Sequence, residues 1–201
     1  MKFKYFKKFM KKPVFTWQEA KVVAFQTDPG TLKLQLHQWK KAGDILSLKR
    51  GVYAFSNQTI DQVEVAKHLY APCYVSLETA LNYYGLLPDV TFAMTLVTTK
   101  ATRKINTPVG QFTYQKIKKS AFQGYDPQTL MAEREKAVVD YLYLNQRHFY
   151  AKVDFWETLR WQHLGAIKFK RAMKYAVYFK SGKLDQLLRS LRSYAKLNQT
   201  T

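Results

Sequence analysis

Asp28-Pro29-Gly30-Thr31-Leu32-Lys33-Leu34-Gln35-Leu36-His37-Gln38-Trp39-Lys40-Lys41-Ala42-Gly43, followed by Asp44-Ile45-Leu46-Ser47-Leu48-Lys49-Arg50-Gly51-Val52-Tyr53-Ala54-Phe55, is the stretch that decides the fold. Asp is a favoured N-cap and Pro a favoured first helical residue, so a helix is expected from Pro29 to about Ala42, stopped by Gly43. At about 100° per residue, Leu32, Leu36 and Trp39 form one apolar stripe. Lys33, Leu34, His37, Lys40 and Lys41 point elsewhere, with Thr31 and Gln38 flanking. Ile45–Leu48 and Val52–Phe55 then read as two short strands around the basic turn Lys49-Arg50-Gly51.

Upstream, Thr16-Trp17-Gln18-Glu19 fits a capping box, in which the Thr hydroxyl and the Glu carboxylate each take the other's backbone N–H. A helix to about Phe25 follows. Two short helices, a tight turn, and a helix with a basic outer face form the helix-turn-helix pattern, and a hairpin directly after it is the wing of a winged helix. The expected DNA-contacting set is therefore Thr31, Lys33, Leu34, His37, Gln38, Lys40 and Lys41 on the helix, with Lys49 and Arg50 at the wing tip, in reach of phosphate. Before this, residues 2–12 read as a basic amphipathic helix with Phe3, Phe6, Phe9 and Met10 on one face, ended by Pro13.

The charge agrees with such a partner. The 201 residues carry 33 Lys plus Arg against 14 Asp plus Glu, a net +19. So large an excess implies a polyanionic partner. It is clustered: residues 1–55 carry +9, residues 56–142 only +1, and residues 143–201 again +9. An extended polyanion met at two places would use that distribution. In the second basic segment, Lys168, Lys170, Arg171 and Lys174 lie close together, and Arg189, Arg192 and Lys196 recur at helical spacing along one side. These seven are candidates for further DNA or partner contacts, the plain alternative being a solvated helix face.

Between the basic ends, helices are expected over 57–70, with Ile60, Val63, Ala66 and Leu69 at core spacing, and from Ser76, as N-cap, to a stop at Gly85. Strands are expected over Phe92–Thr98 and Gln111–Ile117. Helix returns over Leu130–Arg147, Asp154–Leu164, Ile167–Phe179 and Lys183–Leu197. Glu135, Lys136 and Asp140 fall at spacings that usually give surface ion pairs. The fold class is thus α+β: a winged helix-turn-helix over 1–56, then an α+β domain over 57–201 with a basic helical C-terminal part.

Three strings of this sequence carry a resemblance: Lys49-Arg50-Gly51-Val52-Tyr53-Ala54; Ala71-Pro72-Cys73-Tyr74-Val75-Ser76-Leu77-Glu78-Thr79-Ala80-Leu81-Asn82-Tyr83-Tyr84-Gly85-Leu86; and Glu135-Lys136-Ala137-Val138-Val139-Asp140-Tyr141-Leu142. In order and over about 14–144, they resemble the AbiEi-type antitoxins, transcriptional regulators of abortive-infection toxin–antitoxin systems in bacterial phage defence. The middle string is the most specific. The resemblance implies an N-terminal winged helix that represses its own operon and a C-terminal domain that neutralises a nucleotidyltransferase-like toxin. It leaves the lysine-rich start and the basic helical end unassigned.

Other classes find little support. The sequence has no Gly-x-x-x-x-Gly-Lys, Gly-x-Gly-x-x-Gly or Gly-x-Ser-x-Gly motif. The four histidines, His37, His68, His148 and His163, lack metal-ligand spacing, and no paired carboxylates suit two-metal chemistry. No enzyme activity, metal or cofactor is expected. The single cysteine, Cys73, excludes an internal disulfide and reads as a small buried hydrophobe. No apolar run suits a signal peptide or a spanning helix, so a cytoplasmic protein without a membrane partner is expected, and the Asn57 and Asn198 sequons are accidental. The expected partners are double-stranded operator DNA and a toxin, with monomer and dimer both open. A stand-alone winged-helix regulator without a toxin is the alternative. An RNA-binding protein ranks third, because the 14 Tyr and 13 Phe fall mostly at core spacing.

Overall fold

The computed structural model describes residues 1–88 and 91–197, with the side chain of Val153 left aside; the Asn198 sequon lies outside the described residues. The chain divides into two compact units, residues 1–71 with 105–111, and residues 72–104 with 112–201.

In the first unit the order is α1 (Phe3–Phe9), β1 (Val14–Thr16), α2 (Trp17–Val23), α3 (Pro29–Lys41), β2 (Ile45–Lys49), β3 (Val52–Phe55) and α4 (Gln62–Tyr70). The three strands form one antiparallel sheet in the order β1-β3-β2, with Phe15 opposite Tyr53 and Ser47 opposite the same Tyr53. β1 is absent from the sequence reading: three residues between Pro13 and a helix cap give no alternation to read, and only pairing with β3 makes them a strand. The basic start is part of the core. Phe6 is fully buried, its ring 5.0 Å from Trp39 and 5.4 Å from Phe15. Phe9 instead faces solvent, because it lies about 60° beyond Phe6 on the helical wheel.

The capping box at α2 is complete. Glu19 N–H donates to the Thr16 hydroxyl at 3.2 Å, and Thr16 N–H donates to the Glu19 carboxylate at 2.8 Å. Burial works against charge on Glu19. The ion pair with Lys12 and the two hydrogen bonds from Thr16 outweigh it and hold the carboxyl down at about 2.

The first unit runs past the expected boundary at 56. α4 packs on β1 and β2 through buried Val65, Ala66 and Leu69, and its C-terminal carbonyl at Leu69 accepts from the Lys49 amine at 2.5 Å. Val63 and Ile60 are only half-buried, since Asp61 caps the helix and Ile60 precedes it.

A second sheet has four strands in the order β4-β5-β7-β6, from β4 (Cys73–Val75), β5 (Ala93–Thr98), β6 (Arg103–Thr107) and β7 (Gly110–Lys116), of which residues 105–107 and 110–111 are grouped with the first unit. β6 falls where the sequence offers turn residues, with exposed Arg103 and Lys104 and no apolar face to betray it. The helices are α5 (Leu77–Tyr83), α6 (Arg134–Asn145), α7 (Val153–Thr158), α8 (Phe169–Ala176) and α9 (Gly182–Leu197). α5 stops as expected at Gly85, whose φ of +67° lets the Leu86 N–H reach back to the Leu81 carbonyl at 2.8 Å. α6 starts later than expected: Leu130 takes left-handed backbone and Met131 bridges to Val75, whose carbonyl accepts from the Ala132 N–H at 2.8 Å. α7 is shorter than expected because Arg160 and His163 take left-handed backbone. Cys73 is buried and, as the sole cysteine, forms no internal disulfide.

Lys136 and Asp140 depart most from expectation in the second unit. Their i,i+4 spacing suggests a surface pair, yet both are fully buried, because α6 is packed by α5, α8 and α9. Lys136 Nζ is ion-paired with Asp140 Oδ1 and donates to the Tyr74 hydroxyl at 2.8 Å. The Tyr74 and Ser76 hydroxyls each donate to Asp140 Oδ2 at 2.9 Å. Ser76 occupies the N-cap position of α5 without capping it, its hydroxyl being held by Asp140; Thr95 on β5 accepts from the Thr79 N–H at 3.0 Å in its place.

These polar anchors have measurable consequences. The native Glu19 carboxyl lies below its ordinary 4.5, so the box stabilises the fold fully above pH 4.5 and loses that contribution as pH falls toward about 2. Acid unfolding of Glu19→Gln should therefore differ from the parent above pH 4.5 and converge with it at the acid end. In the buried pair, Asp140→Ala strands an ammonium and should cost about 3–5 kcal/mol in denaturant unfolding, whereas Lys136→Met with Asp140→Leu together should regain most of that loss.

Candidate nucleic-acid interface

α3 is held in place from one side only. The Asp28 carboxylate accepts from the Thr31 N–H at 3.0 Å, Pro29 opens the helix, and Leu32, Leu36 and Trp39 are buried with Ile45, Phe55 and Phe6. The opposite face is left to solvent, and Thr31, Lys33, Leu34, His37, Gln38, Lys40 and Lys41 are all exposed there. The hairpin of β2 and β3 is fixed beside it by antiparallel pairing, and its turn is tied to the start of α2 by Trp17 N–H donating to the Gly51 carbonyl at 2.8 Å.

A concavity of about 480 Å³ lies between them. Lys33, His37 and Lys40 of α3 and Arg50 of the turn line it, with Trp17 and Tyr53 among its walls. None of its lining residues is acidic. Lys33 Nζ sits 5.8 Å from the Trp17 ring centroid, a cation–π contact that directs the ammonium without neutralising it. Among the described residues, Lys33, Lys40 and Arg50 have no acidic partner.

The expected residues thus separate. Lys33, His37, Lys40 and Arg50 converge on one surface. Thr31, Leu34, Gln38 and Lys41 are exposed on α3 outside the concavity, Leu34 at 58% exposure. Lys49 does not extend freely from the turn, since its amine is bonded to the Leu69 carbonyl. A bulge between Ser47 and Lys49 accompanies this departure from simple strand alternation. Trp17 and Tyr53 are wall residues that the sequence does not single out. Strand alternation sets Tyr53 off the Val52 and Ala54 face, but only the sheet register brings it beside Ser47 and toward α3.

The basic C-terminal residues separate in the same way. Lys168, just before α8, Lys170, Arg171 and Lys174 of α8 and Arg192 of α9 line a second concavity of about 840 Å³ in the second unit. Arg189 and Lys196 are exposed on α9 outside it. Among the described residues there is no cluster of three or more His, Cys, Asp or Glu suited to a metal ion, and no helix long and apolar enough to cross a membrane.

Compared with known proteins, the chain matches no family model and no curated sequence.

Proposed function

We propose that this protein is a DNA-binding antitoxin that represses its own operon, the first unit being a winged helix-turn-helix that docks α3 in the major groove of duplex DNA. The observation that carries the reading is the acid-free concavity that unites Lys33, His37 and Lys40 with Arg50 of the turn. Its cations have no protein counter-charge to displace, so each phosphate neutralised there releases condensed counterions from the DNA. The order α1-β1-α2-α3-β2-β3, with an antiparallel sheet behind the third helix, supports the winged-helix assignment. The outer face of α3 offers both kinds of contact that sequence readout uses: Gln38 and Thr31 for base edges, and exposed Leu34 for a thymine methyl. The antitoxin half of the proposal rests on the resemblance of 71–86 and 135–142 to AbiEi-type proteins, and assigns toxin neutralisation to the second unit.

The test combines binding and rescue. In duplex titrations across a salt series, Lys33→Gln with Lys40→Gln and Arg50→Gln should flatten the plot of log affinity against log salt by about 2–3, at about 0.9 for each phosphate no longer neutralised. Lys49→Gln, whose amine is already bonded, should leave that slope nearly unchanged and lower stability by about 1 kcal/mol instead. Co-expressed with the neighbouring gene, the triple variant should still rescue growth while operon repression is lost. An unchanged slope in the triple variant overturns the interface, and loss of rescue in step with DNA binding overturns the division of labour.

A further inference from the structure

The concavity of the second unit is built differently from a DNA-tracking stripe. At about 840 Å³ it is of the size of small-molecule sites. Arg189 and Lys196, which would extend a basic track along α9, lie outside it, and only Arg192 of that helix enters. The charge is therefore gathered into a hollow.

Its frame is fixed by interactions that leave most of the cations unpaired. Buried Ala172 and Ala176 seat α8 on the core. Lys168 N–H donates to the buried Glu135 carboxylate at 3.1 Å, which ties the residue before α8 to α6. Glu133 fixes one wall: it accepts from the Tyr175 hydroxyl at 2.5 Å and pairs with Arg171 at 2.6 Å. The Tyr175 ring also packs so closely on Gly124 that a Cβ there would lie 2.7 Å from it. The far end is held by Ser120, whose hydroxyl donates to the Tyr178 carbonyl at 3.0 Å. Lys168, Lys170, Lys174 and Arg192 remain, four cations with no acidic partner among the described residues.

The walls between them are aromatic. Phe169 and Tyr175 are half-buried and Tyr178 is 44% exposed, so flat apolar faces stand beside the cations. Clustered ammonium and guanidinium groups suit adjacent phosphates, and a free aromatic face suits a planar base.

We infer that this hollow binds a nucleoside triphosphate, with Lys168, Lys170, Lys174 and Arg192 around the phosphates and Tyr178 against the base. The site is independent of the DNA surface on α3.

The test is calorimetric titration of ATP into the full-length protein at about 0.15 M salt, where distant surface charges are screened. Saturable binding at one site per chain is expected. Lys170→Gln with Lys174→Gln and Arg192→Gln should weaken it by about tenfold or more, while Lys33→Gln with Arg50→Gln leaves it unchanged. Tyr178→Ala should weaken ATP but not inorganic tripolyphosphate, which has no base. None of the three altered cations is buried, and unchanged circular dichroism would show that the variants remain folded. The inference is overturned if ATP does not saturate, if the cation variant binds as the parent does, or if Tyr178→Ala affects ATP and tripolyphosphate alike. It is also overturned if single-stranded DNA, but not ATP, depends on these cations, because the hollow would then be a nucleic-acid contact.

Discussion

Lys136 and Asp140 place opposite charges one helical turn apart in a part of α6 sealed from water, and much of the second unit is arranged to make that tolerable. Taking each charge out of water costs several kcal/mol, and the pair regains it only with good geometry and complete hydrogen bonding. Burial pushes the lysine down and the aspartate up; their attraction and the hydroxyls of Tyr74 and Ser76 oppose it. Those hydroxyls come from the end of β4 and the start of α5, so the pair fixes where the strand meets the helix. The corner is strained: Leu77, first in α5, has φ +59°, and Ser76 has given up its capping role. Thr95 restores the lost cap from β5 and so brings the next strand into the same arrangement.

The same constraint shapes the surface. Acidic residues are few, and the fold uses many of them itself. Asp28 and Asp61 cap helices, Asp126 closes a turn, Glu19 completes a capping box, Glu133 and Glu135 fix α8, and Asp140 neutralises a buried lysine. Most cations at the two concavities therefore face solvent without acidic partners. An excess of +19 arranged in this way opposes compactness by self-repulsion, and binding an anion relieves it. This physical logic joins the proposed DNA surface and the inferred nucleotide site: in both, most of the lining cations have no acidic partner among the described residues.

Local signals in the sequence are reliable where a single element decides the outcome. The Thr16 capping box, the Asp28 N-cap, the stripe of Leu32, Leu36 and Trp39 and the Gly85 stop all depend on residues close together in one element. Signals fail where a distant residue competes for the same group. Ser76 looks like a cap until Asp140, 64 positions away, takes its hydroxyl. Lys49 looks like a free wing tip until the Leu69 carbonyl takes its amine. Lys136 and Asp140 look like a surface pair because spacing says nothing of how many helices surround α6. The candidate site is legible as a list of exposed residues on α3. Which of them meet Arg50 across a concavity depends on how the hairpin sits against α3, and no local pattern carries that.

The central claim is that α3 and the hairpin turn meet duplex DNA as one surface. Limited lysine acetylation of the full-length protein, with and without operator duplex and read residue by residue by mass spectrometry, tests it most directly. The account predicts that DNA protects Lys33 and Lys40 while exposed Lys8 on α1 continues to react. Equal modification of Lys33 and Lys40 with and without DNA, or equal protection of Lys8, would contradict it.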